Sequence, residues 1–293
     1  MANLEEKKYS SDFHIIDGKL VKYRGRGFRI EIPSVVTSIE EDAFYNCDSI
    51  MNVTLPEGIV TIKDSAFSMC TNLVEIKLPN SVVSIGKACF SGCSSLAKVD
   101  LGSVQHIGEY AFSKCAALSN IIIPKSVKTM GKSVFFLCSS LYEVNFLANL
   151  IVLPSSTFEE CKALNIVTLP KSLETIESSC FEECSSLKEL EIPVNVNKIE
   201  GLAFKECSSL KEINIPFQVS VLENNTFEGC KSLEKVKLPL AISSIGHGVF
   251  EGCDSLRYIE CNLAIKQILK KNFTWGQGLN LKLNKEMSYA IYF

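Results

Sequence analysis

Cysteine is the residue type in this 293-residue chain with the most chemistry available to it, and ten of the thirteen cysteines follow a phenylalanine in a Phe-x-x-Cys step. The steps run from Phe44/Cys47 and Phe67/Cys70 to Phe250/Cys253, 23 residues apart except for the 22 between Phe90 and Phe112. Thiolates at fixed spacing can hold zinc or form disulfides. Zinc usually asks for close pairs such as Cys-x-x-Cys, and none occurs here. The three histidines, His14, His106 and His247, fall at unrelated slots of the period. In a stack of coils, one slot becomes a column with members about 5 Å apart. The column therefore reads as a row of small buried apolar groups. Cys89, Cys180 and Cys261 lie outside it, and Cys261 takes a slot normally held by Leu or Ile. No metal and no cofactor is expected.

Other catalytic patterns are missing. The sequence has no phosphate loop, no His-Glu-x-x-His and no Gly-x-Ser-x-Gly. Gly86, Gly108, Gly131 and Gly246 share the slot four before Phe, but Glu40, Lys63, Glu177, Glu200 and Glu223 occupy it in other coils. That slot does not demand positive φ, so these glycines read as spacing and not as an anion cradle. The Asn-x-Thr sequons at Asn52, Asn224 and Asn272 match what chance gives in such a chain. The chain reads as non-enzymatic.

The elements that position the column can be read slot by slot. Six residues after each Phe stands Leu or Ile, from Ile50 and Leu73 to Leu256. Val53, Ile76 and Val99 follow three later, then Leu55, Leu78 and Leu101, the in-and-out alternation of a half-buried strand. A Pro usually comes next, as at Pro56, Pro79 and Pro170. Proline cannot donate within a paired strand, so it ends the strand and turns the chain. A second apolar pair such as Ile59/Ile62 precedes the next Phe. One coil is thus strand, turn, short extended piece and tight helical turn. No coil can bury its own apolar face alone, so the coils must stack.

The run from Cys70 through Leu73, Ile76, Leu78, Pro79, Val82 and Ile85 to Phe90 resembles the leucine-rich repeats of the BspA type, also called the Treponema-type class. The resemblance covers residues 32–273 and implies a leucine-rich repeat solenoid, a β-rich α/β fold with a curved parallel sheet on one face and short helical turns. The stretch from Phe13 to Tyr23 is similar to the start of such arrays. Members of the class are recognition surfaces, including bacterial surface adhesins, and the family carries no catalytic residues. The resemblance therefore implies a protein-binding scaffold, with a cell-surface or secreted adhesin of the same fold as the alternative.

Both ends depart from the repeat. Residues 1–31 read as a capping meander, with Asp17-Gly18 as a hairpin turn. About ten repeats then fill residues 32–260. Residues 261–293 read as a degenerate last repeat and a capping hairpin, with Phe273 in the Phe slot and alternation at Leu279, Leu281 and Leu283, then Met287 to Phe293. A net charge of −3 argues against a nucleic-acid partner. No apolar run is long enough for a membrane span. The polar start lacks the apolar segment of a leader, so a cytoplasmic protein is expected, or a surface protein if a leader lies outside this sequence.

Apolar residues at slots that should face water mark candidate partner sites. One set is Phe136, Leu137, Tyr142, Leu147, Ile151 and Val152, around the irregular coil where Leu147 replaces the strand-ending Pro. It reads either as an irregular loop folded over its own side chains or as a patch for a partner or for self-association. A second set, Val194, Phe217, Leu240 and Leu263, holds the slot after Pro in successive coils and should align as one stripe. It packs under a neighbouring loop or forms a binding edge. Glu159, Glu160, Glu182, Glu183, Glu206, Glu228 and Glu251 should make the outer side of the later coils acidic. That side is a solubilising face or a field that steers a basic partner.

Overall fold

The computed structural model of the chain describes residues 11–272 and 280–283. Three hydrogen-bonded walls enclose one continuous apolar column. The first wall is built from the longer strands. Arg29–Glu31, Asn52–Thr54, Glu75–Lys77 and Lys98–Asp100 pair in parallel and in register, so that Ile30, Val53, Ile76 and Val99 align facing inward. Asn120–Ile123, Glu143–Phe146 and Ile166–Thr168 continue it, and Glu212–Asn214, Lys235–Lys237 and Tyr258–Cys261 complete the later part. Between these two groups the ladder lapses at residues 189–191. Glu189 points outward there in the slot that Glu212 holds in the next coil, and like charges facing across strands oppose pairing on that side.

The second wall is a ladder of two-residue strands such as Ser38–Ile39, Thr61–Ile62 and Ser84–Ile85, each sending its Ile inward. Proline makes the corner between the walls. The Val82 N–H donates to the Pro79 carbonyl at 3.0 Å, closing a turn that needs no donor from proline itself.

The third wall carries the Phe-x-x-Cys step. Within it, Tyr45 N–H donates to Asp42 O and Cys47 N–H to Phe44 O. The intervening donors reach the next coil, Phe44 N–H to Ala66 O and Asn46 N–H to Ser68 O. This alternation requires positive φ two residues before and two residues after each Phe, as at Asp42 (φ 55) and Asn46 (φ 59). Gly92, Gly229, Gly248 and Gly252 fill some of these positions, but Asp, Ser, Lys and Glu fill more, held there by the hydrogen bonds on both sides.

Inside, ten Phe rings from Phe44 to Phe250 form one file with centroids 4.6 to 6.0 Å apart. Parallel offset rings at this distance add about 0.5–1.5 kcal/mol per pair beyond burial. The 22-residue step is explained at its corner. Gly102 stands where other coils have Pro, with one residue fewer before Val104. It takes φ 52 within 2.6 Å (from a would-be Cβ) of the Leu78 carbonyl oxygen, a position that excludes a side chain.

At the start, β1 (Phe13–Ile16) and β2 (Lys19–Tyr23) form an antiparallel hairpin around Asp17 and Gly18, both with positive φ. β2 pairs in parallel with Ser38–Ile39. Tyr23 lies 5.2 Å from both Phe13 and Phe44, which extends the ring file into the hairpin. After Tyr258–Cys261 comes α1 (Leu263–Asn272), an element the repeat pattern did not announce. Asn262 explains its start: Oδ1 accepts the Ile265 N–H at 2.9 Å, while Nδ2 donates to Leu240 O and Ile242 O. Ile265 and Leu269 turn inward, one helical turn apart. Asn280–Leu283 then pairs in parallel with Tyr258–Cys261. Phe273, Leu279 and the alternation from Met287 to Phe293 lie outside the described residues.

Candidate binding surface

The cysteine column is closed. Cys70, Cys93, Cys115, Cys138, Cys161, Cys184, Cys207 and Cys230 are fully buried, and Cys47 and Cys253 at the two ends are half-buried. Sequence reasoning took these thiols for apolar filler, whereas the structure gives them a bond. Each thiol from Cys70 to Cys253 donates to the Phe carbonyl of the preceding coil at 3.1–3.2 Å, Cys70 Sγ to Phe44 O and Cys93 Sγ to Phe67 O being the first two. Burial pushes the Cys70 and Cys138 thiols up to about 12, far from the range where thiolate chemistry runs at neutral pH. Among the described residues no group of three or more His, Cys, Asp or Glu is placed to hold a metal ion. His14 lies on β1, His106 on a short strand and His247 in the third wall, all exposed and not convergent.

The slot four before Phe shows how the coils lock at their edge. The Glu177 carboxylate accepts the Ser155 N–H, that of Glu200 the Ser178 N–H and that of Glu223 the Gly201 N–H, each reaching into the preceding coil. Where Gly holds the slot, the backbones close up instead. A Cβ on Gly108 would stand 2.4 Å from the Gly86 carbonyl carbon, and one on Gly131 2.4 Å from Glu109 N. These glycines are required by close approach, not by φ.

What remains free is the outside of the walls. The structure separates the first candidate set instead of gathering it. Phe136 and Leu137 are half-buried on the third wall, and Tyr142 is exposed at the leading edge of the long-strand wall. Leu147 is exposed at the corner, and Ile151 and Val152 on the short-strand wall. The intervening Ala148 and Leu150 fold inward and Leu147 N–H bonds Ile123 O, so the irregular stretch is anchored at its base. These side chains surround one coil on three sides. The second set is exposed: Val194 (67% exposed), Phe217 (66%) and Leu240 follow the corner prolines of three successive coils, and Leu263 opens α1 in the next.

A third apolar row escaped sequence reasoning. Phe28, Met51 and Val74 are exposed at the residue just before the long strands, stacked by Met51 N–H to Phe28 O and Val74 N–H to Met51 O. The signal was an apolar residue at one slot in three consecutive coils. On the same wall the middle strands present Asn120, Ile122, Tyr142, Asn145, Ile166 and Thr168, with Glu143 the charged side chain among them. Asn165 Nδ2 donates to the Tyr142 hydroxyl at 3.2 Å and holds that ring in place. A shallow depression of about 470 Å³ lies earlier on this wall, lined by Asn52, Thr54, Glu75, Lys77, Lys98 and Asp100.

The acidic side is partly neutralised. Lys162 bridges Glu160 and Glu183 at 3.4 and 3.5 Å, and Lys205 reaches Glu182 at 3.4 Å. Among the described residues no helix is long and apolar enough to cross a membrane.

Residues 28–142, 105–234 and 152–280 match the BspA type leucine rich repeat region, in six copies. The chain belongs to the BspA-type leucine-rich repeat family. The family's fold is also that of solved bacterial structures. The pneumococcal vaccine antigen PcpA is 23% identical at a TM-score of 0.57, over 88% of this chain and 79% of that one. A leucine-rich repeat protein from Eubacterium ventriosum is 24% identical at 0.56, over 78% of this chain and 60% of that one. A leucine rich cell surface protein from Faecalibacterium prausnitzii is 23% identical over 88% of this chain and 94% of that one, with a TM-score of 0.49. A search of curated proteins gives no match.

Proposed function

We propose that this BspA-type solenoid is a non-catalytic scaffold that binds a protein partner through the outer face of its long-strand wall, aided by its exposed apolar side chains. The observation that carries this reading is the set Ile122, Tyr142 and Ile166, exposed on this wall in successive coils while every inward slot around them is filled. Depleted charge with aromatic and aliphatic groups is the composition of an interface centre. The wall is already ordered, so binding costs little conformational entropy. Leu147, exposed at the corner beside this face, would act as a neighbouring contact, whereas Phe136 and Ile151 lie on the other two walls of the same coil.

Surface display is the alternative setting, as for family members that serve as adhesins. The family comparison lends the cytoplasmic expectation no support. Burial keeps the column thiols from Cys70 to Cys230 from oxidants, so the scaffold tolerates an oxidising exterior. The test is capture of partners by the wild type against an Ile122→Glu/Tyr142→Ala/Ile166→Glu variant, with Lys114→Glu on the third wall as control. Loss of the captured species with the triple variant alone is expected. Equal recovery by all three proteins would refute the long-strand face.

A further inference from the structure

We propose that the corner ridge Val194, Phe217, Leu240 and Leu263 is where a second copy of this chain docks, antiparallel, about a two-fold axis crossing the ridge at Phe217. The ridge has the spacing of the coils themselves, about 4.8 Å per step, so a surface with the same repeat meets it knob for knob. A second copy supplies that repeat. The charges flanking the ridge then fix the register. Beside it, on the long-strand wall, runs the row Glu191, Asn214, Lys237 and Glu260, with Asn214, Lys237 and Glu260 in register across the ladder.

With the axis at Phe217, the coil of Val194 meets the partner's coil of Leu240. Phe217 then packs on its own copy, Val194 on Leu240, and Glu191 faces Lys237 twice, once on each side of the axis. Glu191 and Lys237 are both exposed, and among the described residues no ion pair joins Glu191 to a neighbour. Registers displaced toward Leu240 are penalised. An axis between Phe217 and Leu240 sets Glu191 against Glu260, and an axis at Leu240 sets Lys237 against itself. Like charges brought together at an interface disfavour that alignment. The row thus gives the Phe217 axis two opposite-charge contacts that none of the neighbouring registers has, and sets like charges together when the axis moves toward Leu240.

In this register three ridge side chains per copy, Val194, Phe217 and Leu240, meet each other, with Leu263 beyond the matched steps, so the interface is small, below the roughly 1,200 Å² of stable complexes, and the dimer belongs to the weak, concentration-dependent class. Sedimentation equilibrium on the full chain tests it. The wild type is expected to pass from monomer to dimer over the micromolar range, and Phe217→Asp to stay monomeric. Glu191→Lys or Lys237→Glu alone is expected to weaken the dimer about 10-fold or more, since each creates two like-charge contacts. The double variant Glu191→Lys/Lys237→Glu is expected to restore it. These charges are exposed and two coils apart in one chain, so the swap leaves the fold intact, as an unchanged melting curve will show. A wild type that stays monomeric throughout, a dimer indifferent to the single reversals, or a double variant no better than either single one overturns the proposal.

Discussion

The thiol of Cys184 donates to the carbonyl oxygen of Phe158, 26 residues earlier, at 3.1 Å. The same oxygen accepts the N–H of Cys161 at 3.0 Å, so it keeps a partner when the thiol is removed. Cys184→Ala should therefore cost only about 1 kcal/mol, the net worth of one modest hydrogen bond. Phe181→Ala removes a ring stacked between Phe158 and Phe204 at 5.4 Å on each side. Its expected cost is about 3–5 kcal/mol. Urea denaturation of both variants checks the ranking, and equal losses would show that the thiol bond is worth as much as the ring.

The closed column also predicts which thiols react. Cys47 and Cys253 are half-buried and the other cysteines buried. Burial pushes even the Cys253 thiol up to about 12, so its reaction at pH 8 should be slow. A chromogenic disulfide reagent should thus find about two slow thiols in the native protein and thirteen in denaturant. Rapid labelling of Cys138 or Cys161 in the native state would contradict the packing.

The period made the three walls legible, because Phe181, Leu187, Leu190 and Ile192 each occupy an inward slot that recurs in every coil. The corner stripe of Val194, Phe217 and Leu240 was legible for the same reason, since stacking alone aligns equal slots. What the period could not show was how a coil touches the next through its backbone. The Cys184 bond to Phe158 and the carboxylate of Glu200 on Ser178 N–H join different slots of different coils. The start of α1 was hidden too, because Asn262 holds the Pro slot and its capping role depends on Leu240 and Ile242 being beside it. The 136–152 set was read as one group, either a folded-over loop or a patch, because its members are close in sequence. Around a coil, sequence neighbours point to different sides.

Gly108 and Glu200 share a slot but cannot be exchanged. A Cβ at Gly108 would lie 2.4 Å from Gly86 C and 2.5 Å from Lys87 N, both backbone atoms that cannot swing away. Gly108→Ala should cost about 1–3 kcal/mol through overpacking, although helix or strand propensity plays no part. Thermal unfolding of Gly108→Ala beside Gly58→Ala, whose Cβ would meet nothing within 4 Å, separates close approach from φ strain, since only Gly58 has positive φ. A Gly108 variant as stable as the wild type would mean that the coils slide apart freely.

Glu159 sits where the acidic side is most crowded. Burial pushes its carboxyl above the ordinary 4.5, the Ser156 hydroxyl acts the other way, and Glu182, Glu160 and Glu183 add to the rise. A carboxyl that is harder to ionise in the folded state subtracts from stability wherever the unfolded chain ionises it freely. That penalty is absent below about pH 4.5, where both states are protonated, and is complete once pH has passed the folded value. Glu159→Gln removes the ionisation while keeping a hydrogen-bonding side chain of the same length. Its Tm should therefore exceed that of the wild type at pH 7, and the difference should shrink toward zero as the pH falls through 4.5. A difference of the opposite sign at pH 7 would mean that Lys162 and Lys205, which bridge the neighbouring glutamates, already outweigh the repulsion at this position.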